Sequence, residues 1–281
     1  MNKGAGIIVA GVSKTYRAAS GGVPKRALQR VNLTVAPGEF VSLLGPSGCG
    51  KTTLLNILSG LDADFEGEVR FTASAAGAGP EGSVPWPSGR PVIGYVFQEA
   101  RLLPWMTVRD NVRLVLGRRG RTAEAAKRVD DWLARVGLQG FGDYYPGQLS
   151  VGMQQRVAVA RALIIEPDVL VMDEPFSALD ELTAHRMRGA LLRLWEETGC
   201  TVVFVTHNPV EAVSLADRVV VMSPSPGRIV GELDVSAVLP RPRNHEDPAV
   251  WQLSRQALRL MAEAGANPVQ AGVDVKEGYG G

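Results

Sequence analysis

Residues 41–60, VSLLGPSGCGKTTLLNILSG, leave this chain little choice of fold. Gly45, Gly50, Lys51 and Thr52 complete the pattern G-x-x-x-x-G-K-[ST], with an apolar strand before it and an amphipathic helix after it. In that setting the pattern builds a phosphate-binding loop. Glycines let the backbone turn its N–H groups inward around an anion, and the helix beginning near Lys51 adds its positive end to the same place. Gly45, Pro46, Ser47, Gly48, Cys49, Gly50, Lys51, Thr52 and Thr53 are therefore the candidate cradle. Lys51 is placed to reach the β- and γ-phosphates, and Thr52 to offer its hydroxyl to a magnesium ion.

The rest of the chain has to supply a core around that loop. With 281 residues, 45% of them hydrophobic, there is material for one large α/β domain carrying an inserted lobe. A net charge of +1 predicts no nucleic-acid or acidic-lipid footprint. Cys49 and Cys200 are far apart and follow no metal-ligand spacing, which predicts a reducing, cytoplasmic compartment. Cys49 lies inside the loop as a small tolerated side chain rather than a redox sensor. Apolar runs such as 169–172 and 202–205 are strand-length, far below the ~20 residues of a membrane span. Residues 7–9 after Lys3 are too short for a signal-peptide core. Any work at a membrane then requires a partner to hold the chain there.

Before the loop, residues 7–12 read as a strand, followed by Ser13, Lys14, Thr15 and Tyr16. Residues 18–24 form a glycine-rich turn, and 27–35 (ALQRVNLTV) alternate as a half-buried strand does. Tyr16 is either an aromatic that stacks on a nucleotide base or an ordinary half-buried strand residue. After the loop's helix, 68–71 make a short strand. Residues 72–91, rich in Ala, Gly, Ser and Pro around Trp86, read as an exposed hairpin or mobile loop without chemistry. Residues 92–97 (VIGYVF) are a buried strand ending at Gln98, where a polar ligand group often sits in open α/β sheets.

From Glu99 the pattern turns helical. Leu102, Leu103, Pro104, Trp105 and Met106 form an exposed apolar cluster, and Thr107 N-caps a helix over 107–116. Residues 118–121 are a basic, solvated loop, and 122–136 an amphipathic helix with Ala125, Val129, Trp132, Leu133 and Val136 on its core face. Ser150 caps another helix over 151–163, and with Gly152 beside it this helix start has the ingredients of a second anion site. Residues 169–172 run apolar into Asp173 and Glu174, a buried parallel strand with carboxylates at its C-terminal edge. Asp173 there would hold magnesium and Glu174 would polarise an attacking water. The helix over 181–198 offers Leu182, Leu191, Leu192 and Leu194 as a core face. Residues 201–206 are a buried strand that His207 terminates, on the same ligand edge as the acids. A short helix over 208–216 and strands over 218–222 and 228–233 follow. Pro240, Arg241, Pro242 and Arg243 form a stiff connector. Asp247 and Pro248 open a helix whose stripe of Val250, Trp251, Leu253, Ala257, Leu258, Leu260 and Met261 packs on the domain or, as the alternative, meets a second subunit. Residues 265–281 have no core-forming pattern, which predicts disorder.

These separated elements, taken in order, resemble the ATP-binding subunit of an ABC transporter across roughly residues 7–235. The resemblance makes Gly45–Thr53 the Walker A loop, Gln98 the Q-loop glutamine and 149–156 the signature. Walker B is 169–173 with catalytic Glu174, 177–180 is the D-loop, His207 the switch histidine and Tyr16 the adenine-stacking aromatic. It implies an α/β P-loop (RecA-like) core with an N-terminal antiparallel β subdomain and an inserted α-helical subdomain. Residues 1–98 and 166–235 would form the core, 99–165 the helical lobe and 236–281 a C-terminal extension. It implies ATP and Mg2+ as ligands, with Thr52, Gln98 and Asp173 at the metal and Lys51, Glu174 and His207 in catalysis. It implies a second ATP-binding subunit closing head-to-tail, so that Ser150 and Gly152 of one copy meet the γ-phosphate held by the other. A membrane permease at the cytoplasmic face of the inner membrane would dock a coupling helix near 99–107 and, indirectly, a solute-binding protein. The segments LSVGMQQR, FQEARLLPW, EPFSALD and LPRPR resemble nitrate/sulfonate/taurine-type importers.

One residue departs from the family's signature, Val151, where glycine is usual. The expectation is that its backbone stays in ordinary φ/ψ space, with Gly152 making the close approach. Two other functions compete. A soluble ABC ATPase acting on nucleic acid or ribosomes usually has paired cassettes, coiled coils or basic arms, and this chain has none of them. A nucleotide kinase or GTPase does not carry the Leu-Ser-x-Gly signature, and no Asn-Lys-x-Asp guanine-reading motif is present.

Overall fold

A computed structural model describes residues 4–17, 22–72, 83–85, 91–243 and 247–266. The readings made of Trp86 and of residues 267–281 lie outside them. In chain order the strands are β1 (Gly6–Tyr16), β2 (Lys25–Val35), β3 (Phe40–Leu44), β4 (Glu66–Thr72), β5 (Ser83–Pro85), β6 (Ile93–Val96), β7 (Val169–Asp173), β8 (Thr201–Thr206), β9 (Arg218–Met222) and β10 (Ile229–Asp234). The helices are α1 (Lys51–Ser59), α2 (Val108–Arg113), α3 (Ala123–Arg135), α4 (Val151–Leu163), α5 (Glu181–Thr198), α6 (Pro209–Leu215) and α7 (Pro248–Ala266).

Two sheets form. An antiparallel sheet has the order β2-β1-β4-β5, and a larger one the order β10-β9-β3-β8-β7-β6. In the larger sheet β9, β3, β8, β7 and β6 pair in parallel, and β10 adds an antiparallel edge. The register places the site. Leu44 pairs with Thr206, Asp173 with Val205 and Val96 with Met172, so the chain leaves four neighbouring strands at one edge. The segments that follow, the glycine loop, Glu174, His207 and Gln98, are thereby brought to one line.

The alternation of side chains along these strands divides the core in two. Val41, Leu43, Val171, Val203 and Val205 face α1 and the antiparallel sheet. Phe40, Leu44, Leu170, Met172 and Phe204 face the other way, into the layer of α4, α5 and α6. Parallel strands buried on both faces are apolar throughout, as the sequence of β7 and β8 is. No helix among the described residues is long and apolar enough to cross a membrane.

Cap chemistry sets the helix starts where the sequence indicates. Thr107 accepts from Asp110 N, Thr122 from Ala125 N, Ser150 from Met153 N and Asp180 from Thr183 N. Several expectations are corrected. The first strand runs on through Tyr16, because β1 pairs with β2 to the end and absorbs the mismatch in register shifts beside Gly11 (φ +62°). The helix over 107–116 stops at Arg113. The chain continues to Arg121 as 3-10 turns kinked at Gly117, so the basic run is exposed but not an open loop. Leu182 is not on the core face of α5, being 62% exposed, whereas Ala184, Met187, Leu191 and Leu194 are buried. On α7 Val250, Leu253 and Ala257 pack on the domain, while Trp251 and Leu258 point to solvent. The connector at 240–243 is more than a spacer. Arg241 stacks over Trp195, 4.3 Å from the ring centroid, and Arg243 donates to the carbonyls of Val213 and Leu239.

Candidate nucleotide site

The loop between β3 and α1 is built backbone first. Gly50 caps α1 in the left-handed region (φ 99°, ψ 9°) with no side-chain hydrogen bond. A Cβ there would lie 2.6 Å from Leu28 Cδ2 and 2.8 Å from Ala27 O, so β2 closes the loop from behind. Gly227 does the same from the turn before β10, since a Cβ on it would lie 2.0 Å from Cys49 O. It also exchanges backbone hydrogen bonds with Ala27 and Gln29. Sequence reasoning missed Gly227, whose only local signal is the Pro226-Gly227 turn. Cys49 is buried, and burial pushes its thiol up, which leaves it unprimed for redox chemistry.

Lys51 is almost fully buried. Its Nζ donates to Gly45 O (2.8 Å) and Pro46 O (3.0 Å) and stands 3.6 Å from Glu174 Oε1. The second carboxylate oxygen of Glu174 is 2.8 Å from His207 Nδ1. Glu174 itself has a positive φ of 42° and anchors its N–H on Val205 O, a strained turn at the end of a buried strand. Lys51, Glu174 and His207, from three parallel strands' ends, thus form one line of contacts.

Asp173 is buried next to the Thr52 side chain; burial, first among several causes, raises its carboxyl above the ordinary range. A hydroxyl and a carboxylate side by side are the hard oxygen donors that a magnesium ion takes alongside phosphate oxygens. Among the described residues no group of three or more His, Cys, Asp and Glu stands together as a metal site. The donor set fits a magnesium nucleotide. Gln98 points elsewhere in this arrangement: its Nε2 donates to Ser177 Oγ (3.4 Å), which in turn donates to Glu174 O (2.9 Å). The glutamine therefore reaches Glu174 through the loop that follows it.

Tyr16 stands at the rim, 43% exposed. Its hydroxyl lies 3.4 Å from Thr53 Oγ1 and 3.5 Å from Asp62 Oδ2, and Lys14 Nζ sits over its ring. The ring is held beside the first turn of α1 with a face open. Ser150 and Gly152 are not part of this cluster. Ser150 caps α4, and Gly152 packs on the start of α5, where a Cβ would lie 2.9 Å from Thr183 Cγ2. Val151 is the first residue of α4, 57% exposed, and is not among the positive-φ residues. Its backbone is ordinary, as expected.

Three supports escaped the sequence. Asn111, fully buried, accepts from Leu103 N and donates to the carbonyls of Leu103, Met106 and Thr107, stitching the apolar 102–107 segment. A buried Asn inside a helix was the available signal. Gln155 of α4 donates to Phe97 O and Arg161 to the carbonyls of Ala100 and Arg101, tying the helical layer to the chain around Gln98. Beneath His207, Thr206 donates to Glu211 (2.5 Å), which is 3.4 Å from Arg188, a buried chain of charge from β8 to α5.

Known proteins match this arrangement. The family model "ABC transporter" matches residues 28–177. An aliphatic sulfonates import ATP-binding protein of Bacillus cereus (strain ZK / E33L) is 41% identical, covering 84% of this chain and 88% of that protein. A bicarbonate transport ATP-binding protein of Synechocystis sp. is 42% identical over 91% and 88%, and a taurine import ATP-binding protein of Pelagibacter ubique 45% over 74% and 76%. Among solved structures, a dimeric post-hydrolysis state of an ATP-binding cassette bound to ADP and Pi superposes with a TM-score of 0.68 at 37% identity, covering 82% of this chain and 98% of that one. The phosphate loop, the acids of β7 and the histidine of β8 share one sheet edge in a fold these proteins also have: the chain belongs to the ABC transporter family, as an ATP-binding and ATP-hydrolysing subunit.

Proposed function

We propose that the chain is the energising subunit of a solute importer. In this reading Gly45, Pro46, Ser47, Gly48, Cys49, Gly50 and Thr53 wrap the phosphates, Lys51 neutralises the β- and γ-phosphates, and Tyr16 stacks on adenine. Thr52 and Asp173 would hold magnesium, joined by Gln98 once it turns from Ser177, and the ion would supply charge neutralisation to the triphosphate. Glu174 accepts the proton of the attacking water, and His207 fixes the carboxylate through Nδ1. The observation that carries the reading is the placement of Glu174, 3.6 Å from Lys51 Nζ and 2.8 Å from His207 Nδ1. A carboxylate so placed is oriented by His207 on one side and lies on the other against Lys51, the cation that in this reading meets the γ-phosphate.

The working unit is a head-to-tail dimer in which Ser150 and Gly152 of one copy complete the γ-phosphate site of the other. Residues 1–98 and 166–235 act as the core, 99–165 as the lobe that turns on it and 236–281 as the extension. Trp105, 72% exposed on a segment pinned by Asn111, receives the coupling helix of a membrane permease at the cytoplasmic face. A solute-binding protein supplies the permease from the other side. The relatives' names, sulfonate, taurine and bicarbonate, support a small oxyanion or zwitterion as the solute.

Glu174→Gln tests the assignment. ATP hydrolysis should fall by about 10²–10⁴-fold while ATP still binds, so that an ATP-bound dimer accumulates on size-exclusion chromatography. Retained turnover, or a monomer at saturating ATP, overturns it. Copurification of an integral membrane protein with the tagged chain separates the importer from a soluble ATPase.

A further inference from the structure

Away from the phosphate loop, a cavity of about 320 Å³ opens between the end of α3, the outer side of α4 and the middle of α5. Its floor is apolar, formed by Val159, Phe176, Met187 and Leu191. Its rim is not: Arg135, Arg156, Arg186 and Arg193 line it, and no acidic residue does. In a chain of net charge +1, that is a local concentration of positive charge rather than a reflection of composition.

The arginines have donors to spare. Arg135 is the one with a carboxylate, Glu197 Oε2 at 3.2 Å. Arg156 donates through Nε to the sulfur of Met187 at 3.2 Å, a weak acceptor that leaves its two terminal nitrogens for something else. A Cβ on Gly137 would lie 3.2 Å from Arg156 Nη1; that glycine, at φ +72°, is what leaves the guanidinium its place at the mouth. Among the described residues neither Arg186 nor Arg193 has an ion-pair partner. Guanidinium forks gathered over an apolar floor match an amphiphilic anion: the body buries on the floor and an acidic head takes paired hydrogen bonds at the rim. The volume, at the low end of the ~300–1,000 Å³ of ligand pockets, admits a molecule of one or two rings.

We infer that this cavity binds a small organic anion, a sulfonate, phosphate or carboxylate on an aromatic or branched aliphatic body, at a place separate from the nucleotide. The ligand bridges α4, which begins at the signature, and α5, which follows the D-loop.

The test is calorimetric titration of the full chain, saturated with ADP and Mg2+, with 1-naphthalenesulfonate. Neutral 1-naphthalenemethanol and inorganic sulfate serve as comparison probes. The expected result is binding at one site, with both comparison probes weaker by about tenfold or more, the size of a charged hydrogen bond. Arg186→Glu/Arg193→Glu should weaken the sulfonate by about tenfold or more, and Ala190→Trp, which fills the cavity and keeps the arginines, should abolish it. ADP affinity and circular dichroism report whether each variant remains folded. No sulfonate binding to the wild type, undiminished binding to both variants, or equal binding of the neutral probe would overturn the inference. Displacement of the sulfonate by ADP would also overturn it, by placing the probe in the nucleotide site.

Discussion

The starts of α1 and α4 both lie beside glycines, and they solve the problem of unpaired N–H groups in opposite ways. At the start of α1 the cap is Gly50, which has no side chain to offer, and the first intrahelical bond is Leu54 N to Gly50 O. The N–H groups before it face the loop, where Lys51 also sits. At the start of α4 the cap is Ser150, whose hydroxyl takes Met153 N at 3.3 Å, and the first residue, Val151, is turned to solvent. One helix start is an enclosed half-site walled by β2 and Gly227. The other is satisfied by its own chain and exposed, which is what a surface that meets a second copy requires. The same dipole serves both; the wall makes the difference.

The largest effect should come from breaking that wall. Gly50→Ala forces a side chain into the left-handed region and onto Leu28 Cδ2 and Ala27 O. Gly48 also has a positive φ, 76°, but a Cβ there meets nothing within 4 Å. Strain alone costs about 1–2 kcal/mol, so Gly48→Ala should weaken ATP about tenfold. Gly50→Ala adds the clash and should weaken it by roughly a hundredfold or more, read by calorimetry with Mg-ATP. If the two variants bind alike, enclosure by β2 is not what distinguishes the α1 start.

How much of this was open to the sequence follows the same division. Thr107 and Ser150 were readable as caps because a cap is decided within three residues, and Thr122 and Asp180 cap by the same local rule though they were not singled out. The phosphate loop, the acids of β7 and His207 were readable because an apolar strand announces its own ligand edge. What escaped depends on residues distant in sequence. Gly227 is required by Cys49, and Arg241 is claimed by Trp195. Glu211 is buried because Arg188 and Thr206 meet it. Leu182, Trp251 and Leu258 fit a helical stripe by period, yet lie outside the buried contact. Periodicity gives the direction of a face, not its width.

Ser150 sharpens the second half of the comparison. Ser150→Ala removes the cap of α4 and should cost about 1 kcal/mol, a fall of roughly 2–4 °C in Tm. If the proposed dimer holds, it should also lower ATPase activity, by removing a donor to the γ-phosphate of the other copy. Ser150→Asp separates the two roles, because aspartate caps as well as serine but repels phosphate. The expected outcome is a Tm restored to that of the wild type, measured by calorimetry without nucleotide, with ATPase activity still depressed. Recovery of both together would reduce Ser150 to a cap.

The smallest effect is expected next door. Val151 occupies the place of a signature glycine, and its φ lies outside the positive region where glycine would be needed. Its side chain is 57% exposed on the first turn of α4, and the neighbouring Gly152 is buried against Thr183. The tight packing against α5 is made at Gly152, and Val151 stands aside from it. Val151→Gly relieves no strain, gains no contact and gives up at most about 1 kcal/mol of helix propensity. Steady-state ATPase activity should change by less than about threefold, with Tm level or slightly lower. A rise in rate beyond about tenfold, equivalent to 1.4 kcal/mol of barrier, would mean that the valine obstructs the second copy's phosphate. The exposed helix start would then be a site that the chain itself holds partly closed.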